Sequence, residues 1–255
     1  MTLDLDGRIV VFAGPSLPSH VRPTDRIFAW MPPAVAGDAC ALEGARPRAA
    51  VLIDGLFDSL PAIRHKELLT LMARGIPLIG GASMGALRAA ELHPFGMIGV
   101  GRIFTAFAEG RLIGDDEVAV LHAPAEQGWA PLTEALVNVR ATLLRAVRAG
   151  LVEAAVGRRI LAVASGIFYQ DRTWAYLSET LEQAAVVSSD LAARLASARV
   201  DLKQIDALAC LERSLRLDRT HAQARAFPPP TVFAGYIAEQ VSKGVKSRPR
   251  LVELR

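Results

Sequence analysis

The chain has very little lysine and very little cysteine. Lys66, Lys203, Lys243 and Lys246 are the only lysines among 29 basic residues, and all the others are arginines. The two cysteines, Cys40 and Cys210, stand far apart and form no CxxC spacing. That argues against a disulfide framework and against a thiolate zinc site. No apolar run approaches the ~20 residues of a membrane-spanning helix. The opening MTLDLDGRIV has no basic segment followed by an apolar one, so a secretory signal is not expected there. A net charge of +3 over 255 residues is too small to point to nucleic acid. Part of the basic excess is local, in residues 241–255, which read as a flexible end or a docking arm. The composition therefore favours a cytoplasmic enzyme or binding protein, with no metal, no cofactor, no nucleic-acid partner and no membrane partner.

What is present is an ordinary globular composition, 51% hydrophobic and 22% charged, long enough for a sizeable core. The first part alternates apolar runs with turns. RIVVFAG (8–14), RIFAWM (26–31), AAVLIDG (49–55) and IPLIGGA (76–82) are expected strands. Their nearly continuous apolar character suits a parallel sheet covered on both faces. Between the last two, DSLPAIRHKELLTLMARG (58–75) reads as a helix capped by Asp58 or Ser59, with Pro61 in its first turn and Gly75 at its end. Residues 93–131 look loop-rich with short elements. Helices are then expected over 131–150, opened by Pro131, and over 152–167, 174–187, 190–198 and 202–217, with Asp171, Ser189 and Asp201 as caps. The prolines of AFPPPTVF end the pattern. The fold class is thus α/β: an N-terminal mostly parallel sheet with flanking helices, followed by an α-helical C-terminal half. The expected division is 1–125 as the α/β region, 126–220 as a helical region packed on it, and 221–255 as a proline-containing basic tail.

The chemistry concentrates in GGASMGALRAAEL (80–92). GASMG fits the nucleophile-elbow pattern G-x-S-x-G, and Ser83 lies between a strand and a helix, as that pattern requires. Helix-start amides, near Met84, would stabilise an oxyanion. The same residues equally describe a serine helix cap among small neighbours such as Gly81. A nucleophilic serine needs a base. None of His20, His65, His93, His122 and His221 falls in a familiar triad order. Lys66 is the one lysine of the α/β half, and an antiparallel helix would bring it to the carboxyl edge of the sheet beside Ser83, provided that burial or a neighbouring positive charge keeps it neutral. Gly14 to Ser16 and Asp54 end earlier strands and would gather at the same edge. Asp54 either orients Lys66 or ties down a turn. Arg88 either supplies positive charge or binds an anionic substrate end. The acids Asp115, Asp116 and Glu117 suit a solvated loop or cap better than a metal site. His122 suits a structural role, Arg140 a carboxylate clamp or plain surface, and WMPPA (30–34) an extended surface loop that touches a partner.

Several ordered blocks carry a resemblance. VFAGPSLP, IDGLF, HKELL, GASMGALRAAEL, FGMIGVGRIF, DDEVAVLHAPAE and PLTEALVNVRATL, spread over residues 9–169, resemble the TfuA family in order and spacing. The resemblance implies a role in the biosynthesis of ribosomally made, modified peptides, alongside a YcaO protein that activates a backbone amide with ATP. It implies hydrolysis of the C-terminal thiocarboxylate of a ubiquitin-like sulfur-carrier protein, with sulfide released for thioamidation and the precursor peptide engaged through YcaO. It implies a Ser–Lys catalytic pair, falling on Ser83 and Lys66, with the oxyanion held by amides near Met84 and by the Gly14 to Ser16 turn; Asp54, Gly81 and Arg88 are further candidate oxyanion or substrate contacts at the same edge. Two other readings stand beside it: a non-catalytic adaptor for YcaO and its peptide, and an unrelated small-molecule serine hydrolase.

Overall fold

The computed structural model describes residues 5–217, except residue 43 and residues 57–59. Five parallel strands form its centre: β1 (Ile9–Phe12), β2 (Phe28–Met31), β3 (Ala49–Leu52), β4 (Leu78–Gly80) and β5 (Ile98–Gly99), in the order β2-β1-β3-β4-β5. The expected α/β class holds. The strands are shorter than their apolar runs because the last residues of each run turn out of the sheet. Alternate side chains go to opposite faces. Val10, Phe12, Ala50, Leu52 and Leu78 point to one core, and Ile9, Val11, Ala49, Val51 and Ile79 to the other. Both faces are covered, which is why these strands carry no polar alternation. Each large apolar side chain so buried contributes ~1.5–3 kcal/mol.

Two helices, α1 (His65–Ala73) and α2 (Met84–Leu92), cover the first face through Leu68, Leu71, Met84, Ala89 and Leu92. Next come α3 (Gly101–Ala108) and the helical half: α4 (Leu136–Arg148), α5 (Ala154–Gly166), α6 (Trp174–Gln183) and α7 (Ser189–Ser197). The latter four pack on one another around Val139, Leu143, Ile160, Leu177 and Leu195. The last described helix, α8 (Leu202–Leu215), returns to the sheet and covers its second face with Ala207, Cys210 and Leu211. Among the described residues no helix is long and apolar enough to cross a membrane.

Several local expectations change. α1 starts at His65, with Arg64 at its cap position; the expected caps Asp58 and Ser59 lie outside the described residues. The short elements expected within 93–131 include β5 and α3, whose positions the residue pattern does not mark. Pro131 does not open α4: it forms an antiparallel bridge with His122, and the helix begins at Leu136. The side chains of Thr173 and Ser188, rather than Asp171 and Ser189, cap α6 and α7; Asp201 caps α8 as expected. WMPPA is not a surface loop. Trp30 and Met31 belong to β2, and Pro33 and Ala34 are buried. The segments AFPPPTVF and 221–255 lie outside the described residues.

Candidate active site

Strand order reverses between β1 and β3, and open parallel sheets bind ligands at such a point, beyond the carboxyl ends of the strands. Asp54, just past β3, is buried there. Its carboxylate accepts hydrogen bonds from the Gly14 amide (2.8 Å), the Ser16 amide (3.0 Å) and the Ser16 hydroxyl (2.6 Å). Asp54 therefore ties down the Gly14 to Ser16 turn that follows β1. Gly14 has to be glycine, since a Cβ there would lie 2.4 Å from Pro33 Cγ.

Ser83 sits at the next strand end, after β4. It is 2% exposed and occupies the cap position of α2, yet its side chain makes no cap hydrogen bond. Its described hydrogen bonds are those of its backbone: its amide donates to the Gly81 carbonyl (2.8 Å), and its carbonyl accepts from Ala86 (2.8 Å). Ala82 before it lies in the left-handed region (φ 66°), so the strand-to-helix turn holds a non-glycine residue in a sparsely populated conformation. Two glycines let the turn close. A Cβ at Gly85 would lie 1.8 Å from the Leu52 carbonyl oxygen, and one at Gly81 would lie 2.5 Å from Cys210 Sγ. In the first helical turn the Gly85 amide donates to Ile53 (3.1 Å), whereas the Met84 amide has no hydrogen-bond partner among the described residues.

Lys66 is on the exposed side of the first turn of α1. That turn is tied to the second half of α2. His65 Nε2 lies 2.6 Å from Glu91 Oε2, and Arg88 donates to the Ile63 carbonyl (3.1 Å) and to Glu91 (2.7 Å). Glu91 is eight residues along α2 from Ser83, about 12 Å of helix. The structure brings Gly14, Ser16, Asp54, Gly81, Ser83 and Met84 to one edge. Arg88 spends its guanidinium on the Ile63 carbonyl ahead of α1 and on Glu91, and Lys66 is not buried.

A second lysine is. Lys203, in the first turn of α8, is 3% exposed, and its Nζ donates to the Val118 carbonyl (2.7 Å). Its ammonium is pushed below the ordinary lysine range, first by burial, with Asp54, Asp201 and Glu134 pulling the other way. Lys203 lines a cavity of about 250 Å³, together with Ser16, Thr133, Glu134, Trp174, Arg199 and Asp201. A signal for it was present in the sequence. Positions 203, 207, 210 and 211 share the buried face of α8, so Lys203 is a charge on an apolar stripe.

Residues 54–173 match the family model described as TfuA-like protein. Over that segment the chain is similar to the TfuA-like family. The match opens on Asp54 and includes Lys66 and Ser83; Ser16 and Lys203 lie outside it. No curated protein matches the chain.

Within the TfuA-like segment the acidic run separates. Glu117 is gripped by Arg140 through two guanidinium nitrogens (2.6 and 2.9 Å), while Asp116 lies 3.8 Å from Arg172. Arg140 is a carboxylate clamp, but for an internal partner. The buried Arg172 donates to the Ala164 and Ile167 carbonyls and so closes the end of α5. His122 stacks edge-on against Trp129 and bonds the Ala123 carbonyl, a structural role. Asn138, buried on α4, donates to Glu134 (2.7 Å) and Asp201 (3.2 Å) and accepts from the Lys203 amide (3.1 Å). It fixes the start of α8 at the cavity.

Proposed function

We propose that this TfuA-like chain is a cytoplasmic hydrolase that attacks the C-terminal thiocarboxylate of a ubiquitin-like sulfur-carrier protein through Ser83. The sulfide it releases serves a YcaO protein, which thioamidates the backbone of a ribosomally made precursor peptide. One observation carries the reading: a buried serine at the carboxyl edge of a parallel sheet, at a helix start, whose hydroxyl is not used as the cap. The Met84 amide, without a hydrogen-bond partner among the described residues, and the dipole of α2 support an oxyanion position beside it. The Gly14 to Ser16 turn held by Asp54 supplies the neighbouring wall.

In this reaction the Ser83 hydroxyl gives up its proton to a base, and Oγ bonds to the thiocarboxylate carbon. The tetrahedral intermediate collapses with cleavage of the C–S bond, and the protonated base returns the proton as hydrosulfide leaves. Water then attacks the ester, its proton passes to the base, and the C–O bond to Ser83 breaks to give the carrier carboxylate. Sulfide departs more readily than an amine, so one base and one oxyanion donor suffice. The family resemblance implies Lys66 as that base; its exposed place beside the second half of α2 lends the role no support.

The test is sulfide release from a ubiquitin-like carrier bearing a C-terminal thiocarboxylate. Wild-type protein should release sulfide and Ser83→Ala should not. Thioamidation retained in Ser83→Ala, with no free sulfide from either protein, would instead favour an adaptor for YcaO and its peptide. Turnover of simple esters with no carrier present would favour a small-molecule hydrolase.

A further inference from the structure

A lysine that takes the Ser83 proton has to be kept neutral by burial and to stand at the carboxyl edge of the sheet. Among the described residues one lysine meets both conditions, and it lies outside the segment that matches the family. We propose that Lys203 is the proton acceptor for Ser83 and that the cavity it lines admits the carrier's terminus. This rests on the reading of Ser83 as the nucleophile.

Three sets of contacts converge on that placement. Asp54 connects the two residues: it holds the Ser16 turn, which lines the same cavity as Lys203, and the residues on either side of Asp54 touch the start of α2. Ile53 accepts from Gly85, and Gly55 is packed so closely on Met84 that a Cβ would lie 2.8 Å from its Cγ. From the other side, Lys203 bonds the Val118 carbonyl, and Val118 shares a core with Ala86, three residues after Ser83, and with Leu202. Finally, Cys210 of α8 lies against Gly81, two residues before Ser83, so the buried face of α8 runs past the elbow.

The surroundings suit the chemistry. The lysine amine is shut from water, which favours the neutral form that can take a proton. The groups facing it are Asp54 after β3, Glu134 before α4, and Asp201 at its own helix start. Their negative charge stabilises the lysine ammonium that forms when Ser83 is deprotonated. Glu134 is itself engaged by Trp174 (2.7 Å) and Asn138 (2.7 Å), so it stays an acceptor of fixed position. At the rim, Arg199 is exposed and has no ion-pair partner among the described residues, which suits an incoming anionic terminus. Proton transfer to Lys203 Nζ accompanies formation of the Oγ–C bond, and the same proton leaves with hydrosulfide when the C–S bond breaks.

The experiment compares sulfide release by wild type, Lys203→Met, Lys203→Arg and Lys66→Ala on the carrier thiocarboxylate, with thermal melts of each. Loss of a general base should slow Lys203→Met by roughly 10²–10⁴-fold. Lys203→Arg keeps a cationic donor for the Val118 carbonyl but no neutral amine. A purely structural lysine would leave it active, and a base leaves it as slow as Lys203→Met. Added ethylamine should restore turnover to Lys203→Ala, in proportion to the free-base fraction of the amine. If Lys203→Met does not fold, Lys203→Arg and the amine rescue decide. Near wild-type release by a folded Lys203 variant, or loss confined to Lys66→Ala, would overturn the assignment. Wild-type release by Ser83→Ala would instead fell the nucleophile itself, a separate failure.

Discussion

Asp54 takes three hydrogen bonds from a single turn, and its removal would leave Gly14 N–H, Ser16 N–H and the Ser16 hydroxyl facing apolar surroundings. Each orphaned donor costs ~1–3 kcal/mol. Asp54→Ala is therefore expected to lose at least about 3 kcal/mol in urea unfolding, together with sulfide release. Glu67 presents a different residue-level cost. It is 1% exposed; its Oε2 accepts from Gly37 (2.7 Å), and its Oε1 has no partner among the described residues. Burial pushes its carboxyl up to about 7, with Asp38 adding to the rise and the Gly37 amide and Arg64 opposing it. The folded state thus holds this proton more tightly than the unfolded state, whose carboxyl titrates near 4.5. The associated stability is complete below that value and is lost as pH rises through 7. Glu67→Gln should be about as stable as wild type at pH 4 and up to about 3 kcal/mol more stable at pH 8, by melts at the two pH values. A gain of equal size at both would remove the titration account.

At the scale of the element, the start of α2 separates two roles for one serine. A capping serine replaced by alanine costs ~1 kcal/mol. Ser83 makes no cap bond, so Ser83→Ala should leave stability within about 0.5 kcal/mol while ending activity. The start of α3 is the contrasting case: Asp206 on α8 accepts from the Ile103 amide (2.8 Å), and its carboxyl is raised first by burial. Asp206→Ala should cost ~1–2 kcal/mol, read as a lower urea midpoint. Much at this scale was legible. The strand runs, α5 to α8 and the GASMG turn follow from apolar period and glycine placement. β5 and α3 were not: two paired residues are too short a strand to show a period, and α3 receives its cap from a residue over a hundred positions away. The surroundings of Lys66 were not legible for a related reason: rises along a helix and a strand set its height, but the tie between His65 and Glu91 sets where α1 lies, and that is a tertiary contact.

At the scale of the whole molecule, the chain closes on itself. Helix α8 leaves the helical half to cover the second face of the sheet, and Arg48 beside β3 donates to the carbonyls of Leu215 (2.9 Å) and Leu217 (3.1 Å). Deleting residues from 202 onward would uncover the face made by Ile9, Val11, Val51 and Ile79, so such a protein should aggregate rather than fold as a smaller domain. This return also places Lys203 at the cavity, which explains why a lysine far along the chain was passed over: only the packing of α8 brings it to the site. The central claim is that Ser83 opens a thiocarboxylate. The most direct measurement is the rate of sulfide release from carrier thiocarboxylate by wild type and Ser83→Ala at equal concentration. The expected result is rapid release by wild type and a fall of roughly 10²-fold or more in the variant; equal rates would contradict it.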